Sequence, residues 1–354
     1  MAKYPIPNFS RREVNRAGDA LLNSDTPQEE KEQALAIIDN WRTSHNFPLN
    51  TFQMRLRKVA KTINENSLVA QRLKRLTSIK SKLERFPNMN LSQLQDIGGC
   101  RAILKDIDEV EELVNIYKHD SRGIKHKLHK EDDYIQFPKP SGYRGVHLVY
   151  KYRSDKDNAY DDMKIEIQVR TLMQHAWATA VEIVDTFTRQ SLKSSQGEAD
   201  WLRFFALMGS AMAISESKPI VPNTPDNYAD LHKEVMTLAN RLNIQNVLQA
   251  YKSTIQILGG NRSKNQAKYY LLDLNLSEGT ILVKSYSTTQ LATATADYMT
   301  LEKRIQSGSR NVVLVSADSV ESLRLAFPNY YLDADYFLNY LKKFTTTKQL
   351  SLFD

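Results

Sequence analysis

Residues 163–170 alternate without a break. Met163, Ile165, Ile167 and Val169 fall on one side, and Lys164, Glu166, Gln168 and Arg170 on the other. Side chains change face at every residue of a β-strand, so this run predicts a half-buried strand with one polar face. Shorter apolar runs, Cys100 to Leu104 and Val146 to Tyr152, predict further strands. Helical spacing brackets them. A helix is expected over about 27–43, opened by what has the form of a capping box at Thr26-Pro27-Gln28-Glu29. A second helix begins with Phe52, Leu56, Val59 and Ile63, and a third, basic one covers about 67–85. Val110, Leu113, Val114 and Tyr117 place a helix behind the first strand, and two more are expected over about 171–188 and 198–215. Residues 119–144 are polar and read as irregular. Strands mixed with helices on a half-buried sheet point to an α+β or α/β domain.

The stretch 217–226, SKPIVPNTPD, carries three prolines and reads as a linker. Beyond it the expected order is helix (227–242), helix (245–258), strand (268–274), strand (280–286), helix (289–306), strand (311–317) and helices near 319–326 and 333–344. The division is therefore 1–216, a Pro-rich linker at 217–226, and a second small α+β domain over 227–354.

The formal charge of +7 is unevenly placed. Residues 51–100 hold ten Lys/Arg against three Asp/Glu, which matches the whole excess. Cations without neighbouring acids invite polyanions such as nucleotide phosphates or a nucleic-acid backbone. A single cysteine, Cys100, excludes an intrachain disulfide and a Cys-based zinc cage. No apolar run is long enough for a membrane span, and the first residues lack the apolar core of a signal peptide, so a cytoplasmic protein is expected.

Four elements carry candidate chemistry. The basic helix offers Arg72, Lys74, Ser78 and Lys82; residues 72, 75, 78/79 and 82 would lie along one side with Lys74 beside them, and these cations could grip a triphosphate. Asp96 precedes a strand in Asp96-Ile97-Gly98-Gly99-Cys100-Arg101, where paired glycines let a backbone approach a ligand. Glu166 lies on the polar face of its strand. Two carboxylates from adjacent strands suit Mg²⁺, which takes one or two carboxylates plus substrate phosphates. The loop Lys139-Pro140-Ser141-Gly142-Tyr143-Arg144-Gly145-Val146-His147 offers a ring for stacking, in a place where a ring has little core to fill.

Taken in order, these blocks, closing with Glu166-Ile167-Gln168-Val169-Arg170-Thr171, resemble the synthetase domain of the RelA/SpoT family over roughly residues 50–190. The resemblance implies an α+β, nucleotidyltransferase-like fold with a mixed sheet and flanking helices. It implies pyrophosphate transfer from ATP to a 3′-hydroxyl with Mg²⁺. Arg72, Lys74, Ser78, Lys82 and Arg101 would then hold ATP, and Asp96 and Glu166 the Mg²⁺. Glu166 would also stand near the attacking hydroxyl as a base, Tyr143 would stack on the acceptor base, and His147, Gln168 and Arg170 would line the acceptor side.

The stretch before the synthetase lacks the metal-binding His and His-Asp residues of the family's hydrolase domain, and the C-terminal part is too short for the long enzymes' regulatory array. The layout is similar to a fused toxin–antitoxin form known as CapRel. That likeness implies a tRNA CCA end as acceptor, a C-terminal domain that holds the enzyme inactive, and a phage protein such as a capsid protein as trigger. The alternative acceptor is GDP or GTP. The segment 330–340 is dense in aromatics and acids, and Tyr336, Phe337 and Tyr340 are the candidate inhibitory rings, with Asp333 and Asp335 facing the basic helix.

Overall fold

A computed structural model describes residues 4–119, 125–154, 158–188, 192, 197–253, 256–259, 267–305, 310–317 and 319–346. The chain begins with helices α1 (Arg11–Leu22), α2 (Gln28–Ser44) and α3 (Asn46–Ile63). Strand β1 (Leu68–Leu73), helix α4 (Leu76–Arg85), strand β2 (Gly98–Leu104) and helix α5 (Ile107–His119) follow. Next come strands β3 (Lys127–Asp133), β4 (Val146–Lys151) and β5 (Lys164–Thr171), then helices α6 (Leu172–Thr188) and α7 (Ala199–Ser215). The remainder is α8 (Tyr228–Arg241), α9 (Ile244–Ser253), β6 (Gln256–Gly259), β7 (Ala267–Asn275), β8 (Thr280–Ser287), α10 (Leu291–Lys303), β9 (Arg310–Ser316), α11 (Val320–Ala326), a 3₁₀ turn at Pro328–Tyr331, and α12 (Asp335–Thr346).

The fold is α+β, and its strands form one mixed sheet in the order β3-β4-β5-β2-β1-β9-β7-β8-β6. β2 and β5 run parallel, as do β6 and β8, and the other neighbours are antiparallel. The C-terminal α+β unit is present, but its sheet is continuous with the first, because β9 pairs with β1 through Gln71 with Ser316 and Arg72 with Val315. The proline-rich stretch is packed as well. Val221 is fully buried, and its N–H donates to Ser210 Oγ on α7.

An apolar layer covers each face. On one, α1 to α5 pack against Val69, Leu73, Cys100, Ala102, Ile165, Ile167 and Val169. On the other, α6 and α7 share a core with Ala70, Ile103 and the C-terminal residues Val313, Val315, Leu323 and Phe337.

Three local expectations are corrected. The basic segment is not one helix: β1 ends at Leu73 and α4 starts at Leu76, so Arg72 and Ser78 sit on different elements. Pairing with β2 on one side and β9 on the other overrides the helical charge spacing. Thr26 caps nothing, since the residue before α2 is Pro27 with no side-chain cap, whereas Ser10 with Glu13 forms a capping box at α1. Within 119–144, β3 forms as a charged edge strand beside β4.

Gly209 on α7 lets the loop containing Gly142 lie directly on the helix. A Cβ at Gly209 would stand 2.7 Å from the Gly142 carbonyl oxygen and 2.8 Å from its Cα. Glycine to alanine in a helix ordinarily stabilises by about 1 kcal/mol. Here Gly209→Ala is expected to destabilise by roughly 1–3 kcal/mol through overpacking, read as a lower urea midpoint.

Candidate active site

The site grows from the register of β1, β2, β5 and β4. Arg72 lies opposite Gly99, which lies opposite Glu166. One row along, Arg101 lies opposite Gln168, which lies opposite His147. The two glycines of the Asp96 block divide the work. A Cβ on Gly98 would come within 2.8 Å of Ile165 Cδ1, so this glycine is needed for packing. A Cβ on Gly99 would meet only the Glu166 carbonyl oxygen, at 3.9 Å. Open space therefore separates the Arg72 and Glu166 positions.

Asp96 stands just before β2 and receives two cations. Lys74 Nζ lies 2.6 Å from its Oδ2, and Lys82 Nζ lies 3.0 Å from its Oδ1. Burial alone would raise this carboxyl; Lys74 and Lys82 more than reverse that and hold it below the usual carboxylate range. Lys74 is reached from β1 and Lys82 from α4, so two elements converge on one acid. The side chains of Arg72 and Arg101 make no hydrogen bond or ion pair among the described residues. Burial, followed by the neighbouring Arg170 and Arg72 charges, pushes the Arg101 guanidinium down. Cations left facing one another are poised for an anion. Ser78 sits partly buried in the first turn of α4.

Glu166 is held by a polar relay. Arg170 Nη2 donates to the Tyr143 hydroxyl (2.6 Å), which donates to His147 Nε2, and His147 Nδ1 donates to Glu166 Oε1 (2.9 Å). Gln168 Nε2 donates to Glu166 Oε2 (2.7 Å) while its Oε1 accepts from Arg170 (2.9 Å). Burial opposes ionisation of Glu166, and His147, Gln168 and Lys82 outweigh it, so the carboxylate lies well below its usual range. His147, Gln168 and Arg170 are thus brought together as expected, but their described hydrogen bonds orient Glu166.

Tyr143 departs from expectation. Its ring is only 6% exposed and packs edge-to-face with Trp177, at 6.3 Å between centroids. Gly142, at φ +92°, brings the loop against Phe205 and Trp177, so this ring fills a core and is not an open stacking surface. Tyr134 is the missed neighbour: it is half-buried, 5.8 Å from the Tyr143 ring, with Lys139 Nζ 4.0 Å above its own ring. Its position in the stretch read as irregular hid it.

The C-terminal rings are also placed differently. Phe337 is fully buried against Phe204 and Phe205, the Tyr340 hydroxyl donates to the Ala211 carbonyl on α7, and Tyr336 is half exposed. Helix α12 presents its apolar side to α6, α7 and α8, where burial of these rings is favourable. Asp333 and Asp335 pair with Lys252, and Asp333 with Arg324, not with α4. What does meet the β1–α4 segment is α10, β9 and α11. Glu302 Oε1 accepts from the Leu76 N–H at the start of α4 (2.8 Å), and Arg75 donates to Asn311 Oδ1 (2.5 Å). His175 donates to the Leu325 carbonyl at 3.3 Å.

The basic excess is smaller in space than along the chain, since Lys74 and Lys82 share Asp96 and Lys80 lies 3.9 Å from Glu84. For Mg²⁺, Asp96 and Glu166 supply only oxygen donors, as that ion prefers, and substrate phosphates would complete its shell. Among the described residues no group of three or more acidic, His or Cys side chains could hold a metal alone. The pair fits an ion that arrives with its nucleotide.

Residues 71–184 match the family described as "Region found in RelA / SpoT proteins". Over these residues the chain is similar to RelA/SpoT-type pyrophosphokinases. It is 29% identical over 159 residues to the GTP pyrophosphokinase YwaC of Bacillus subtilis, spanning 40% of this chain and 73% of that one. It is 31% identical over 115 residues to the GTP pyrophosphokinase YjbM of the same organism, but there it spans about half (52%) of the relative and 31% of itself. Among solved structures, small alarmone synthetase 2 of Bacillus subtilis is similar with a TM-score of 0.43 and 23% identity, covering 50% of this chain and 93% of that one. No described helix is long and apolar enough to cross a membrane.

The space at Gly99 generates a prediction. Gly99→Val should fold with a thermal midpoint close to the parent's, because its Cβ meets no crowding. It should lose ATP-dependent transfer, because the added methyls occupy the gap between Arg72 and Glu166. Radiolabelled ATP turnover beside a melting curve checks both halves.

Proposed function

We propose that the chain moves pyrophosphate from ATP to the 3′-hydroxyl of the tRNA CCA end, under control of its own C-terminal region. The observation that carries the donor half is the unpaired cluster of Arg72 and Arg101 beside an Asp96 clamped by Lys74 and Lys82. Such transfer depends on positioning and charge neutralisation more than on covalent catalysis. Arg72, Arg101 and Ser78 receive the phosphates, and Lys74 and Lys82 turn from Asp96 toward them. Asp96 and Glu166 would hold Mg²⁺, which would supply further neutralisation of phosphate charge. The acceptor oxygen attacks the β-phosphorus, the bond from that phosphorus to the α-phosphate oxygen breaks, and AMP leaves. Glu166 accepts the hydroxyl proton. The relay from Arg170 through Tyr143 and His147 fixes the carboxylate, so little reorganisation is needed at the moment of attack.

The tRNA acceptor rests on the likeness to fused toxin–antitoxin synthetases, and a phage protein such as a capsid protein is the corresponding trigger. A guanine nucleotide is the second reading, favoured by the names of the two Bacillus subtilis relatives. Control by the C-terminal region is supported by Glu302 and Asn311 at the β1–α4 turn and by Leu325 against α6. A trigger need only bind better to the form in which these contacts are broken.

The full chain incubated with ATP labelled at its β-phosphate, and with tRNA or GTP, separates the two acceptors. Label on tRNA is expected; label confined to the guanine nucleotide overturns the tRNA reading, and label on neither overturns transfer altogether. Removing residues 217–354 is a poor test, since it strips β9 from β1 and opens the shared core. The single change Asn311→Ala, which frees Arg75, is expected instead to raise the transfer rate several-fold without trigger. An unchanged rate in a folded variant would sink self-control through this contact.

A further inference from the structure

The end of the sheet where β4 finishes and β5 begins holds a cavity of about 120 Å³. Arg11, Lys151, Lys164 and His129 line it from α1, β4, β5 and β3, together with Trp41, His45, Ser92, Leu94 and Asp162. Lys151 and Lys164 are cross-strand partners, so two ammonium groups are fixed side by side by register, an arrangement that is unfavourable without an anion. His129 is the extra residue of a β-bulge between Leu128 and Lys130, a distortion that re-aims a side chain. Among the described residues no ion pair engages Arg11, Lys151 or Lys164, although Lys164 donates to the Gln93 carbonyl at 3.2 Å. The one acid, Asp162, lies 3.1 Å from Arg153 and so has a cation of its own.

Trp41 is more than nine-tenths buried at this cavity, and its indole N–H has no partner. An unmet buried donor ordinarily costs about 1–3 kcal/mol. A donor left open beside three cationic side chains is what an oxyanion site requires. None of the cavity's lining residues belongs to the set assigned to ATP or the acceptor.

We propose that this cavity binds a small phosphate-bearing anion, gripped by Arg11, Lys151 and Lys164, with the Trp41 N–H donating to one of its oxygens. The site is independent of the transfer reaction, and binding is its readout. The chain has three tryptophans, so three indole N–H signals report on it by NMR, with Trp41→Phe assigning the relevant one. Inorganic pyrophosphate added to the full chain should move the Trp41 signal saturably, and equally so in Arg72→Ala, where the catalytic cation cluster is weakened. Lys151→Gln and the exposed-site change Arg11→Gln should each weaken that response about tenfold. GTP in a parallel titration distinguishes the source: tighter binding than pyrophosphate assigns the phosphate end of a nucleotide, and equal binding assigns the free anion. A Trp41 signal that stays fixed up to millimolar anion, or that titrates identically in Lys151→Gln, overturns the proposal.

Discussion

Strand β1 is where the molecule is joined and where its charge is delivered. It is paired on one side with β2 and on the other with β9, so its backbone belongs to both halves of the chain. Alternation then sends Val69 and Leu73 into the N-terminal core and Ala70 into the other, leaving Arg72 on the Glu166 side. Lys74, one residue past the strand, remains tied to β2 because its N–H donates to the Ile97 carbonyl. Any movement of β9 or α11 against β1 is therefore felt at Arg72 and Lys74 without a long path between.

A second buried network reinforces that junction. Arg42 of α2 is fully buried and donates to both oxygens of Glu302 and to the Tyr298 hydroxyl on α10. Its Nε donates to the Lys74 carbonyl. One guanidinium thus ties the N-terminal helices, the β1–α4 turn and the C-terminal helix. A buried pair of this kind adds little stability over well-packed apolar residues, but losing one partner leaves a charge stranded at a cost of about 3–5 kcal/mol. Partial loss of these contacts is therefore costly.

Much of this was readable from residue order, for identifiable reasons. The alternation of β5 survives because one face is core and the other is chemistry, so Glu166, Gln168 and Arg170 emerge together as expected. C-terminal elements fall where their apolar spacing puts them, except that the helix expected over 245–258 ends at Ser253 and strand β6 takes Gln256–Gly259. Failures cluster where tertiary pairing outweighs local pattern. Arg72, Lys74, Ser78 and Lys82 mimic a helix face because a strand, a turn and a helix happen to carry cations at helical spacing. β3 is hidden because its sequence, KLHKEDD, has no apolar stripe, and it exists by borrowing the edge of β4. Tyr143 could not be placed because glycines on both sides suggest an open loop, whereas Gly142 and Gly145 are there to let the loop press onto α7 and Arg170.

The relay behind Glu166 shows why a buried carboxylate can be both low in pKa and ready for proton transfer. Arg170, Tyr143, His147 and Gln168 all donate toward it, directly or through one another, which lowers its proton affinity and weakens it as a base. Proton transfer at such a group depends on what the transfer accomplishes: the attacking hydroxyl becomes acidic only as its oxygen begins to bond to phosphorus. In the transfer proposed above, a carboxylate tuned low and rigidly aimed would serve late in the step, when the proton is already loosened. The same tuning favours the ionised form of Glu166, as Lys74 and Lys82 do at Asp96. Positioning and charge retention, more than basicity, are what these five residues provide.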